Sequence, residues 1–181
     1  MPIVDARVIV LWATPAGSAV NTIDARYDDA VNTPQQVADT IRDGVESTFL
    51  QFLSSEVALT EVQVGDDISG AIAPGSASGG DSDSVTNPSV AYGIAKVVGT
   101  GRSGRWFLPG VTENGVDGSG QIGAAKRAAL QTEFTAFLAA AEAGGVDFRV
   151  KQKDGSYQQI DSFNVRPFIT LQSRRLDRVR G

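Results

Sequence analysis

The sequence contains no cysteine and no histidine among its 181 residues. Without cysteine the chain forms no disulfide and no thiolate metal site, and without histidine it lacks the imidazole ligands of zinc and haem sites. The same absences exclude Ser-His and Cys-His nucleophile pairs. We therefore expect a protein that is not an enzyme, with no catalytic residues, no metal site and no cofactor.

Long hydrophobic runs are also missing. No stretch approaches the roughly 18 apolar residues of a membrane span. The first ten residues, MPIVDARVIV, place an acid at Asp5 where an export signal has its charged start and apolar run. We expect neither a membrane partner nor an export signal. The net charge of −5 also disfavours bulk nucleic-acid binding, because domains specialised for it are usually basic, so direct contact with nucleic acid is expected to be minor.

What is present is a globular composition, with 41% hydrophobic and 20% charged residues. The length fits one domain of about 100–200 residues. We expect a single α+β domain over residues 1–181, with a long loop rich in Gly, Ser and Asp at residues 65–88.

The charges divide unevenly along the chain. Residues 1–95 carry three arginines against 13 acids, a net charge of −10, whereas residues 96–181 carry 13 basic residues against eight acids, a net charge of +5. One interpretation is a domain that mixes these charges over its surface. The other is a subunit with an acidic side and a basic side, suited to head-to-tail contact with copies of itself.

Two segments have the apolar spacing of long helices. In the first, Thr33 and Gln36 predict a capping box with Pro34 at the first helical position, and the apolar spacing continues to about Ser54. Gly44, in the middle of this helix, is expected to permit close packing. The second helix is predicted over residues 121–143 and ends at Gly144-Gly145.

The remaining apolar segments read as short strands, at residues 3–12, 19–27, 57–64, 90–98, 106–108, 146–151, 157–160 and 163–171. Strands and helices do not alternate one for one, which disfavours a parallel doubly wound sheet. We expect an antiparallel β-sheet or sandwich with two long α-helices packed on it. A viral jelly roll with inserted helices is the alternative.

The segment GTGRSG at residues 99–104 matches the dinucleotide fingerprint G-x-G-x-x-G. That site needs a helix to begin at once, and the chain instead continues RWFLPG, so we expect a turn and no nucleotide site. Asp66, Asp67, Asp81 and Asp83 lack the spacing of a calcium loop and are expected to be solvated.

Basic residues are concentrated near the C-terminus. They include Arg174, Arg175, Arg178 and Arg180 within the last eight positions. One interpretation is a solvated tail, a second is an arm that pairs with acids on a neighbouring subunit, and a third is contact with nucleic acid. With Arg102 and Arg105 of the Gly/Arg-rich turn, these arginines are our candidate assembly residues.

Three motifs in the second half resemble parts of a group of uncharacterised phage and virus proteins that look like virion components. The motifs are NPSVAYGIAKVV at residues 87–98, GRSGRWFLPG at residues 101–110 and LQSRRLD at residues 171–177. The resemblance covers about residues 87–178. It implies a structural subunit of a virion, assembled in the host cytoplasm, whose partners are copies of itself and other virion proteins.

Because the chain has only Arg7 as an early cation, it lacks the basic N-terminal arm common in genome-packaging coats. We therefore favour a bacteriophage head, neck or tail component, of the tail-terminator, connector or capsid-associated type. A coat protein of a small icosahedral virus is one alternative. A carboxylate-dependent hydrolase and a stand-alone binding module are the others.

Overall fold

The computed structural model describes residues 3–65, 70–81, 90–96, 104–111 and 124–166. Two helices and nine strands are formed there. The helices are α1 (Pro34–Phe49) and α2 (Ala124–Ala143). The strands are β1 (Ile3–Thr14), β2 (Gly17–Asp28), β3 (Ala58–Val64), β4 (Ala71–Pro74), β5 (Val90–Lys96), β6 (Gly104–Pro109), β7 (Val146–Lys151), β8 (Tyr157–Gln159) and β9 (Ser162–Arg166).

Six strands form an antiparallel sheet in the order β4-β3-β1-β2-β7-β8. Its centre is the hairpin of β1 and β2, joined by a tight turn in which Gly17 has a φ of 115°, a backbone conformation that favours glycine. On β1, every second side chain from Ala6 to Trp12 is buried. We call the side of the sheet to which these side chains point the inner face, and the opposite side the outer face.

Both helices pack on the inner face. The capping box predicted for α1 is confirmed, because Thr33 Oγ1 accepts from the Gln36 amide at 3.2 Å and Gln36 Oε1 accepts from the Thr33 amide at 2.8 Å. Helix α1 lies against β3 and β4, and α2 lies against β7. The ring of Phe49 on α1 contacts those of Phe134 and Phe137 on α2, with centroids 4.7 and 5.3 Å apart.

The other three strands form a second antiparallel sheet in the order β6-β5-β9. It packs beside α2, where Trp106 of β6 meets Phe137 and Phe148, and Phe163 of β9 meets Phe134. Both Trp106 and Leu108 are buried, so the RWFLPG segment contributes side chains to the core.

The fold is α+β, as expected, with a mostly antiparallel sheet and two helices. Two details differ from the expectation. Helix α1 ends at Phe49, and residues Leu50–Phe52 tighten into a 3₁₀ turn. Strand β4 lies inside the segment for which a loop was predicted, because a short apolar run finds a partner in β3. The last strand is described as far as Arg166, and the rest of its predicted span lies outside the described residues.

Candidate assembly surface

The outer face of the six-stranded sheet carries the charged side chains of β1, β2 and β7. Strand alternation places them there, since each lies between two residues that point to the core. Asp5 and Arg7, for example, flank Ala6, which is buried on the inner face. The pairing register then sets which charges become neighbours across the strands.

Asp5, Arg26 and Asp147 form what we call the first charged row. Asp5 lies opposite Arg26 across β1 and β2, and Arg26 lies opposite Asp147 across β2 and β7. The Arg26 guanidinium donates two hydrogen bonds to the Asp5 carboxylate, at 2.8 and 3.0 Å. These bonds lower the pKa of Asp5, with a smaller contribution from the charge of Arg149, and they raise the pKa of Arg26.

Arg7, Asp24 and Arg149 form the second charged row, two residues further along each strand. Arg7 Nε lies 3.9 Å from Asp24 Oδ1, and Arg149 lies opposite Asp24 on the other side. One terminal nitrogen of Arg149 donates to the Tyr157 carbonyl at 2.9 Å, whereas its Nε is buried without a hydrogen-bond partner. The second row thus repeats the first with every sign reversed.

Exposed hydrophobic side chains flank the two charged rows. Ile3 is 62% exposed, Val20 46% and Ile72 39%. All three lie on the outer face, and they are three of the four large hydrophobic residues that are exposed in the described part of the chain. Between the charged rows and Val20, the outer face continues through the half-buried Ile9 and Leu11. The surface therefore combines charge and apolar area, which is typical of protein contacts.

A second charged area lies on α1 and is acidic. Arg42 is paired with Asp39 at 2.9 Å and with Asp43 at 2.8 Å, so one cation is shared by two acids. Glu46 accepts hydrogen bonds from the Ser76 amide and hydroxyl, at 2.7 and 2.8 Å, which anchors the chain after β4 to the helix. The surplus of acids here belongs to the N-terminal half with its charge of −10.

Asp81 corrects an expectation from the sequence. It was expected to be a solvated loop acid, but its side chain is only 10% exposed and its carboxylate lies 3.3 Å from Lys126 Nζ. Its backbone also pairs with Leu53 and Ser55. The carboxylate therefore helps to join this segment to the start of α2.

The predicted assembly arginines are mostly outside the part of the chain that is described. Arg105 lies on β6, with its backbone opposite Ile94 of β5. Outside the described residues lie Arg102, Arg174, Arg175, Arg178 and Arg180. Sequence reasoning missed the charged rows, although the alternation of Ile3, Asp5, Arg7 and Ile9 is a signal that could have found the part on β1.

Over residues 3–65, 70–81, 90–96, 104–111 and 124–166, no group of three or more acidic side chains is placed to hold a metal ion. Neither described helix is long and apolar enough to cross a membrane.

The chain was also compared with known proteins. No family model matches it, and neither a curated protein nor a solved structure is significantly similar to it. Its function therefore has to be inferred from the chemistry of its own residues.

Proposed function

We propose that the protein is a non-enzymatic structural subunit of a bacteriophage virion that assembles with copies of itself in the head, neck or tail. A tail-terminator, connector or capsid-associated position fits best. The observation that carries the proposal is the outer face of the large sheet. There, two rows of charged side chains, one with the signs of the other reversed, lie beside exposed hydrophobic side chains. Such a face suits a repeated contact between subunits.

The sequence resemblance supports the same function. Two of its three motifs include strands β5 and β6, which pair with each other and bring Trp106 and Leu108 into the core. These motifs therefore contribute to the folded core.

A second contact in the assembly uses the arginines of the C-terminal segment. Arg174, Arg175, Arg178 and Arg180, together with Arg102 and Arg105, pair with acids in the N-terminal half of a neighbouring copy or of another virion protein. The surplus acids of α1, with Asp39 and Asp43 sharing Arg42, are a matching target. Head-to-tail contacts of this kind build rings when the rotation closes.

Particle composition tests the proposal directly. Mass spectrometry of purified virions of the phage that encodes the chain should find the protein at a fixed number of copies per particle. Purified protein should also form oligomers in light scattering, with a mass that falls as salt rises, because ion pairs at the surface are screened. Absence from the particles, or a monomer at every concentration and salt, would contradict the proposal.

A further inference from the structure

The two charged rows are related by a simple exchange of sign. The first row runs acid, base, acid along β1, β2 and β7, and the second runs base, acid, base. The six charges of the two rows sum to zero, so the rows have no excess of either sign to offer to a strongly acidic or basic partner. What fits such a pattern is a surface with the same pattern reversed, and the chain itself supplies one.

We propose that two copies of this chain pair face to face through the outer faces of their large sheets. In this pair a two-fold axis lies between the two sheets, parallel to their planes and perpendicular to the strands. It passes between the two charged rows, above Ala6, Ala25 and Phe148. Each first row then lies over the second row of the other copy. The partner is a second copy in an isologous contact, in which the same patch is used twice.

The axis brings opposite charges together at every position. Asp5 faces Arg7 of the second copy, Arg26 faces Asp24, and Asp147 faces Arg149. A two-fold axis along β2 would instead place Arg26 against itself and Asp5 against Asp147, and such like-charge contacts are unfavourable. The axis across the strands pairs all six charges with opposite ones, and the charge pattern favours it over an axis along β2 for that reason.

The apolar side chains beside the rows agree with this axis. Rotation about it brings Ile3, which is 62% exposed, over the half-buried Ile9 of the second copy. Stacked sheets lie about 10 Å apart, a gap that an arginine and an aspartate side chain together can span. The contact therefore removes exposed apolar surface while it pairs the charges.

The pairs already formed within one copy leave capacity for the second. The side chain of Arg7 is 58% exposed and that of Asp5 is 45% exposed. A carboxylate accepts up to about four hydrogen bonds and a guanidinium donates five, so each ion can keep its neighbour in the sheet and bind another across the axis.

Two charge reversals test the arrangement. In the symmetric pair, position 5 of each copy faces position 7 of the other, so Arg7→Glu creates two acid–acid contacts and Asp5→Lys creates two base–base contacts. Each variant should weaken self-association by about a hundredfold or more. When the two variants are mixed, the acid introduced at position 7 faces the lysine introduced at position 5, while the native Asp5 and Arg7 face each other. The equimolar mixture should therefore pair again.

Sedimentation velocity of each variant, of the mixture and of the unmodified chain provides the readout. Lys153→Glu, a charge reversal at an exposed position in the turn after β7, is the matched control and should leave the mass unchanged. Thermal melts followed by circular dichroism check that each variant is folded. Repulsion inside one copy cannot be relieved by mixing, so recovery in the mixture distinguishes a contact between copies from a structural role.

The inference rests on the proposed function, because it assigns a geometry to the assembly surface, but the two can fail separately. If the unmodified chain assembles and the reversals leave its mass unchanged, the face-to-face pair is wrong, and the presence of the protein in purified virions then decides the proposed function. If the mixture stays as dissociated as its components, the axis is wrong. A monomeric unmodified chain would contradict both.

Discussion

At the scale of single residues, Phe49 joins the two helices through its ring, which is fully buried between Phe134 and Phe137. Phe49→Ala should lower the free energy of unfolding by about 3–5 kcal/mol, since it removes this packing and leaves a cavity. Urea unfolding measures the loss. Phe52→Ala, at a half-buried position in the turn that follows, should cost less. A loss below about 1 kcal/mol for Phe49→Ala would mean that the helix contact is misplaced.

The ionisation of Asp5 makes the free energy of unfolding depend on pH in the acidic range. Its pKa lies below the ordinary value of 3.8, first because Arg26 donates hydrogen bonds to the carboxylate. A lowered pKa means that the stabilisation is fully present above that ordinary value and is lost as pH falls through the lowered pKa.

Asp5→Asn should therefore be less stable than the unmodified chain at neutral pH, by less than about 1 kcal/mol because the pair is exposed. The difference should shrink as the pH is lowered below about 4. Unfolding midpoints measured from pH 7 to pH 2.5, at a protein concentration low enough to keep both proteins monomeric, test this. The same substitution at the exposed Asp29 is the control, and a difference that persists unchanged at low pH would contradict the assignment.

At the scale of elements, helices α1 and α2 are in close contact at Gly44. A Cβ added there would lie 3.0 Å from two ring carbons of Phe137. This agrees with the expectation that this glycine permits close packing. Gly44→Val should destabilise the fold by about 1–3 kcal/mol, because a side chain has to be forced into a filled contact.

Ser47→Val, at an exposed position on the same helix, is the matched control and should change stability by about 0.5 kcal/mol or less. Thermal and urea unfolding of both variants give the comparison. Equal effects at the two positions would show that helix propensity, and not the contact with Phe137, sets the cost.

The elements differ in how far the sequence alone predicts them. Helix α1 was predictable because Thr33, Pro34 and Gln36 act on each other within one turn. Strand β4 was not, since four residues have little preference of their own and the strand depends on β3, its partner in the sheet.

The charged rows were beyond sequence reasoning for a related reason. Alternation places Asp5 and Arg7 on one side of β1, but nothing local shows that Asp147 and Arg149 continue the rows. Those two come from a strand more than 100 residues later, and only the register of β2 with β7 places them there. Long-range register depends on the packing of the whole sheet.

At the scale of the whole molecule, the basic C-terminal segment is expected to act between copies. Deleting residues 174–181 should leave the fold and its melting temperature unchanged, while it reduces the mass of the assembly and its sensitivity to salt. Exposed ion pairs contribute only about 0–1 kcal/mol each, so several must act together.

Light scattering over a series of salt concentrations compares the truncated and complete chains. Replacing the same arginines by glutamine, with the length kept, separates the loss of charge from the loss of chain. Full assembly by the truncated chain, with the same dependence on salt, would return the segment to the role of a solvated tail.

The pairing of β2 with β7 also has a consequence during synthesis. Ribosomes add about 5–20 residues per second, so β2 waits on the order of ten seconds for the strand that completes its side of the sheet. Through that interval β2 is an open edge, close to the identical nascent chains of the same polysome. We expect Asp24 and Arg26 to act as gatekeepers at this stage, since charges along an unpaired edge discourage a neighbour's strand from adding to it.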